Sequence, residues 1–435
     1  FSMEVVSIVY NLFFLPHVFI LRLMNRRDLL KNMSVIPVFG AFAGSANILP
    51  LTDAATTAVA KDYFKELGIR TFINAAGTYT AMTGSLMRPE VMNAINYASK
   101  DFVLLDELQD KVGERIAQLL KCEYATVTSG CASAMTLGAA GVLTGMDEKK
   151  VAQLPHLEGT GMKTEVIIQR KHDIAYAHAL KNTGLKIVYT DTKEDLINAI
   201  SDKTALMYFL NANNFDGPVQ VEEFLKIAQA HNIPTMIDCA ADVPPVENLW
   251  KYTNMGYDLV CFSGGKGIRG PQSAGLLLGR KKYIQAARLS APPRGNTIGR
   301  GLKVNKEEIL GMLIALETYL ATDHDKEWKM WEAQIKLIGD AATSVGGVTT
   351  TVKVPAIANH VPTLHIAWDA KKIPATAAEL KEKLRSGSPS IEVADGENQH
   401  AIAITTWMLV PGQEKIVAAA LKKALTEKAL SETHG

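Results

Sequence analysis

From residue 71 to residue 289 the chain repeats one unit, a short apolar run followed by an amphipathic stretch and then another apolar run. The runs are 71–76, 124–129, 165–170, 185–190, 205–210, 234–239, 258–263 and 274–279. They are apolar almost throughout, instead of alternating, as strands covered on both faces are. Between them lie helical patterns such as 221–232, with Phe224, Leu225 and Ala228 on one face. Strand–helix–strand repetition predicts an α/β fold, a mostly parallel sheet in a three-layer domain. In such a sheet functional groups gather beyond the carboxyl ends of the strands, which is where motifs should be sought.

The segment 306–342 reads as a long helical tract leading to a second lobe. Beyond it, strands at 362–368 and 401–407, a helix at 376–386 and a Lys-rich helix from Glu414 predict a small α+β domain. The expected organisation is a leader (1–45), an N-terminal segment (46–75), a large domain (76–320) and a small C-terminal domain (321–435). At 435 residues and 47% hydrophobic composition the chain can bury a large core. Its net charge of +1 gives no electrostatic footprint for a large nucleic acid. Cys122, Cys131, Cys239 and Cys261 form no C-x-x-C pair and have no histidine spacing suited to zinc, so no metal is expected.

The leader reads in two parts. Residues 3–21 are apolar, interrupted by Asn11, Pro16 and His17. Read from Met24, the chain resembles a twin-arginine export signal, with Arg26-Arg27, a short apolar stretch and a small-residue cleavage site at Ala41-Phe42-Ala43. That reading makes the protein periplasmic or exported and the twin-arginine machinery a partner. If Arg26-Arg27 is only a basic flank, the protein is cytoplasmic.

Three motifs fall at strand ends. In "VTSGCASAM" (127–135) a strand turns directly into an Ala-rich helix at Ser129, Gly130 and Cys131. The free N–H groups and positive dipole of a helix start suit a phosphate, although Ser129 could equally cap its own helix and Cys131 could be a small packed residue. In "TMIDCAAD" (235–242) Asp238 ends an apolar strand; an ionised carboxylate there needs a cationic partner. Asp242 reads as a helix cap or a solvated loop charge. In "FSGGKGIRG" (262–270) Lys266 follows the next strand among Gly264, Gly265, Gly267 and Gly270, with Ser263 before it. Alone, each motif is compatible with a cap or a turn. Together, a phosphate cup, an acid at one strand end and a lysine after the next are the parts that hold pyridoxal 5'-phosphate, with the glycines letting backbone and cofactor approach closely.

On the stretches 73–85, 128–135, 262–281 and 298–320, the region from Arg70 to Leu320 resembles the fold-type I pyridoxal-phosphate enzymes, in their selenocysteine synthase-like branch, and within it the D-glucosaminate-6-phosphate ammonia-lyase group. The resemblance implies Lys266 as the Schiff-base lysine and Asp238 as partner of the ring nitrogen. Ser129, Gly130, Cys131 and Ser263 would hold the phosphate, and His172 would stack on the ring. Arg300, Lys303 and, less directly, Arg269 would meet an anionic group of the substrate or of a neighbouring subunit. A homodimer or larger homo-oligomer is implied as well.

The implied reaction is α,β-elimination on a small-molecule amine, a β-hydroxy amino acid or amino sugar acid, giving a 2-keto acid and ammonia. Racemisation and β-replacement of the seryl-tRNA selenium transferase kind use the same carbanion and stay open, although near-neutral charge disfavours an RNA substrate. The non-enzymatic alternative is an anion-binding α/β module in which Lys266 is only a charge.

Overall fold

In the computed structural model, which describes residues 61–430, twelve strands form two sheets. The proposed leader and the first half of the segment after it lie outside the described residues. Strand β1 (Phe72–Ala75) belongs to the smaller sheet. The larger sheet contains β2 (Tyr124–Thr128), β3 (Glu165–Gln169), β4 (Lys186–Thr190), β5 (Thr204–Leu210), β6 (Thr235–Asp238), β7 (Leu259–Ser263) and β8 (Gly275–Gly279). β9 (Val348–Lys353), β10 (Thr363–Trp368), β11 (Ser390–Asp395) and β12 (Ala401–Thr405) complete the smaller one.

The larger sheet runs β2-β8-β7-β6-β5-β3-β4. Five strands, β3 to β7, are mutually parallel, while β8 is antiparallel to both β7 and β2. Helices cover both faces, which explains the continuous apolar runs. Along β5, Met207 and Phe209 enter the core on one face, while Leu206, Tyr208 and Leu210 enter the core on the other. Phe209 meets Phe224 of the helix Val221–Ala230 with ring centroids 5.1 Å apart. Burying each such ring is worth roughly 1.5–3 kcal/mol, so the pairing fixes that helix firmly against the sheet. β4, at the edge, is the strand of this sheet most open to solvent.

Two expectations are corrected here. The run 71–76 does not join the parallel sheet: β1 pairs in parallel with β11, so the smaller sheet takes its edge strand from ahead of the larger one. The tract 306–342 is two helices, Lys306–Leu320 and His324–Thr343. The second starts where Asp323 accepts from the backbone N–H of Lys326 at 3.0 Å, a side-chain cap that begins a new helix in mid-tract. In the smaller sheet the order is β1-β11-β12-β10-β9, and its apolar face packs on the helices Ala377–Arg385, His324–Thr343 and Gln413–Leu430.

The register places the motifs. Thr128 and Ser263, the last residues of β2 and β7, both pair with Gly275, the first residue of β8. Asp238, the last residue of β6, pairs with Cys261 on one side and Leu210 on the other. All three motif segments therefore emerge from one edge of the sheet.

Candidate active site

That edge borders a cavity of about 580 Å³ whose wall includes Ser129, Gly130, Cys131, Asp238, Ser263 and Lys266. Six sequence-predicted residues from three chain segments are thus brought to one place. Their positions follow from local structure.

The helix Cys131–Thr144 starts immediately after β2, with Gly130 as its N-cap at φ +88° and no side chain capping it. The first N–H groups of a helix have no partner within it, so those at this start remain available on the cavity side. Ser129 does not cap the helix: its hydroxyl lies 2.8 Å from Ser133 Oγ, and Ser133 Oγ in turn donates to the Ser129 carbonyl. Gly275 explains how the start is packed. A Cβ there would fall 2.5 Å from the Gly130 carbonyl carbon and 2.8 Å from the Cys131 nitrogen, so only glycine lets β8 lie against the helix start.

Asp238 is 3% exposed. Its Oδ1 accepts from the Ala240 N–H at 2.9 Å and the Cys131 thiol at 3.4 Å, and its Oδ2 from the Tyr208 hydroxyl at 3.1 Å. These donors are all neutral. A buried carboxylate held only by neutral donors and open to a cavity is suited to a cationic N–H from a bound group. Hydrogen bonding with Cys261, then burial and the Asp238 charge, raise the Cys131 thiol well above its usual range, so Cys131 is a packed neutral residue.

Lys266 sits in a loop closed by Gly264 N–H to the Ala274 carbonyl and Gly270 N–H to the Gly264 carbonyl, both 2.8 Å. The glycines serve this packing. A Cβ on Gly265 would meet the Gln272 Cα at 2.4 Å, and one on Gly267 the Val243 carbonyl oxygen at 2.1 Å. The loop is compressed between neighbouring backbones, and that fixes where the Lys266 side chain starts.

Four expected site residues lie elsewhere. His172 is fully buried outside the cavity wall. Its Nδ1 accepts from the Leu210 N–H at 3.2 Å, its Nε2 lies 3.0 Å from the Asn213 carbonyl, and its ring meets Phe209 edge-on. Burial lowers its pKa to about 4, so it is neutral, and its ring packs on Phe209 instead of lining the cavity. Ile174 and Tyr176, two and four positions later, line the wall instead. Arg300 and Lys303 are exposed and away from the wall. Arg269, also outside the wall, donates from Nη2 to the Trp407 carbonyl, tying the lysine loop to the smaller lobe.

Other residues at the site were not legible as such. Asp242 is neither a cap nor solvated: it is 1% exposed and lines the cavity. It accepts from Asn211 Nδ2 at 2.6 Å, and burial raises its pKa to about 6. Tyr208 was hidden in an apolar strand; a hydroxyl on a fully buried strand residue is the signal that could have marked it. Thr405 and Trp407 arrive from the end of the smaller sheet, more than a hundred residues away in sequence.

The donor set fits pyridoxal phosphate on these observations: an uncapped helix start for a phosphate, a buried carboxylate lacking a cation, and a primary amine on the same cavity wall. The comparisons with known proteins agree. The Aminotransferase class-V family profile matches residues 92–298. The chain is 27% identical over 372 residues to the D-glucosaminate-6-phosphate ammonia lyase of Salmonella typhimurium (strain 14028s / SGSC 2262), covering 83% of this chain and 97% of that protein. It is 23% identical to the 5'-C-glycyluridine monooxygenase-decarboxylase of a Streptomyces species, over 87% of this chain and 95% of that one. Identity to the L-seryl-tRNA(Sec) selenium transferase of Caldanaerobacter subterraneus subsp. tengcongensis is 27%, over 59% of this chain and 58% of the relative. Among solved structures, a D-glucosaminate-6-phosphate ammonia-lyase superposes with a TM-score of 0.75 at 25% identity, covering 85% of this chain and all of that one. SPT with PLP superposes at 0.52 with 13% identity, covering 81% and 87%, a likeness of fold.

Proposed function

The chain has the fold-type I pyridoxal-phosphate fold, and from that premise we propose that it is a lyase that removes ammonia from a β-hydroxy amino acid or amino sugar acid by α,β-elimination, leaving a 2-keto acid. The observation that carries this reading is Asp238, a buried carboxylate with neutral donors only, opening on the same cavity as Lys266 and the uncapped helix at Gly130. The likeness to ammonia lyases over nearly their whole length supports the reaction class.

Pyridoxal phosphate, when bound, supplies an electron sink for the carbon that bears the substrate amine. The chain does the rest. The helix start at Cys131 and the hydroxyl of Ser263 would hold the phosphate. Tyr208 and the Ala240 N–H keep Asp238 oriented, so that its Oδ atoms would hold a proton on the ring nitrogen. Lys266 Nζ would anchor the cofactor, and as a free amine would take the proton, as general base, from the substrate carbon that bears the amine. Water lost from the β-carbon is regained when the product is released, so the net change is substrate to 2-keto acid plus ammonia.

Two further proposals go with it. Phe102, Val103 and Leu104 are consecutive, apolar and exposed, which supports association with a second copy of the chain. Arg26-Arg27 and the apolar stretch after them support export by the twin-arginine route, which carries folded proteins and is compatible with cofactor loading beforehand. Fractionation of cells expressing the full chain tests this, with the protein expected outside the cytoplasm.

The test of the reaction is a panel of β-hydroxy amino acids and amino sugar acids offered to the cofactor-loaded protein. Ammonia and 2-keto acid should appear together in equal amounts. Racemisation of a substrate with neither product would contradict the proposal.

A further inference from the structure

The connector between β9 and β10, residues 354–362, reaches from the smaller sheet to the cavity, where Pro355 and Asn359 line the wall together with Ala240, Ala241 and Asp242. Its base is fixed. Lys353 pairs with Thr363 across the two strands, and Val361, 1% exposed, packs with Trp331, Trp407 and Met408. His360 Nδ1 lies 2.7 Å from the Pro355 carbonyl, and its ring packs on Trp328 with centroids 5.6 Å apart. Asn359 projects from this base and is exposed.

The backbone there has an uncommon shape. Ala358 and Asn359 stand at φ +53° and +47°, two consecutive non-glycine residues in the left-handed region. Asparagine tolerates that region better than most residues and glycine adopts it freely, whereas a β-branched side chain resists it. In this conformation the Asn359 N–H donates to the Ala241 carbonyl at 2.7 Å, a bond from the smaller lobe to the larger one. Ala241 belongs to the turn that follows Asp238. Within that turn the Ala240 N–H donates to Asp238 Oδ1 at 2.9 Å, and the Asp242 N–H donates to the Cys239 carbonyl at 3.1 Å. The carboxylate is thus held by a turn whose Ala241 carbonyl is tied to Asn359.

The bond accounts for the residue type at 359. Its N–H is delivered to Ala241 by left-handed backbone, so the position needs a residue that adopts that conformation rather than a particular side-chain group. We propose that Asn359 is a positioning residue: through its backbone N–H, the connector of the smaller lobe sets where the Asp238 carboxylate meets the cofactor's ring nitrogen. A displaced turn moves the Ala240 N–H and with it Asp238 Oδ1, and misplacement of a group at the chemistry lowers the rate steeply. This rests on the lyase reading only for turnover; the placing of Asp238 is read from the bound cofactor without it.

The test is a series at one position, Asn359→Gly, Asn359→Ala and Asn359→Val, in the cofactor-loaded full chain, with Asp238→Asn as the reference. Left-handed preference falls from glycine and asparagine to alanine and then to valine, an order that neither size nor polarity shares. The visible band of the bound cofactor should stay in place in Asn359→Gly, move in Asn359→Ala and move further in Asn359→Val, in the direction seen in Asp238→Asn. Turnover should fall in the same order, by roughly tenfold in Asn359→Val, with KM unchanged. Circular dichroism should show all three variants folded, since the substituted residue is exposed. Equal shifts in Asn359→Gly and Asn359→Ala would assign the effect to the amide side chain, and an unmoved band in Asn359→Val would leave no effect to assign; either result overturns the proposal. An ordered spectral shift with no ammonia from any substrate would keep the positioning role and end the lyase reading. Ammonia release with no ordered shift would do the reverse.

Discussion

Replacing Asp242 by asparagine should make the folded protein more stable at neutral pH and change how its stability responds to acid. Asp242 is 1% exposed, and burial raises its pKa from the ordinary 3.8 to about 6 against the opposing hydrogen bond from Asn211. Between those two values the folded state binds more protons than the unfolded chain, so stability falls as pH rises through that window and is level above it. The shift corresponds to about 3 kcal/mol at pH 7. Asparagine retains an oxygen for Asn211 and removes the charge, so Asp242→Asn should match the unaltered protein near pH 4 and exceed it by about 3 kcal/mol from pH 6 upward. His172 acts in the opposite direction: its pKa is lowered to about 4 by burial, so stability present above pH 6.5 is lost as pH falls toward 4. The two slopes oppose each other in the unaltered protein, and the variant should therefore show a steeper acid loss. Urea unfolding at matched cofactor saturation, taken at steps from pH 4 to 7.5, gives the difference curve. A curve that is flat with pH, or that rises toward acid, would refute the burial argument for Asp242.

Gly275→Ala should disrupt the phosphate cup, because its Cβ would fall 2.5 Å from the Gly130 carbonyl carbon. Overpacking of this kind costs roughly 1–3 kcal/mol of stability, and cofactor affinity, followed by equilibrium dialysis, should drop with it. Asp238→Asn should keep the fold and bind the cofactor, yet lower turnover by roughly 10²-fold, as measured by ammonia release under cofactor saturation. Arg269→Ala removes the donor to the Trp407 carbonyl that ties the lysine loop to the smaller lobe; stability to urea should fall by roughly 1 kcal/mol while the visible spectrum of the bound cofactor is retained.

The larger sheet was legible because both of its faces are covered, and that forces uninterrupted apolar runs such as Leu206–Leu210 and Leu259–Phe262. Asp238 and Lys266 were legible only in combination with the helix start at Gly130, because each motif alone is compatible with a cap or a turn. What failed depended on pairings distant in sequence. Nothing in "TFINAA" says that its partner is Ser390–Asp395, because apolar strands do not specify their neighbours. His172 looked well placed by its position after a strand, yet side-chain direction decided the matter, and its ring turns to Phe209. Asp242 read as solvated because loop position usually means exposure. Thr405 and Trp407 escaped notice because they reach the cavity from the smaller sheet, more than a hundred residues away in sequence.

The proposed chemistry requires covalent attachment of the cofactor at one amine, Lys266. Borohydride treatment of the cofactor-loaded protein, followed by peptide mapping, should place the reduced cofactor on Lys266 in the unaltered chain and find no fixed cofactor in Lys266→Ala. Cofactor fixed on another lysine, or turnover undiminished in Lys266→Ala, would contradict it.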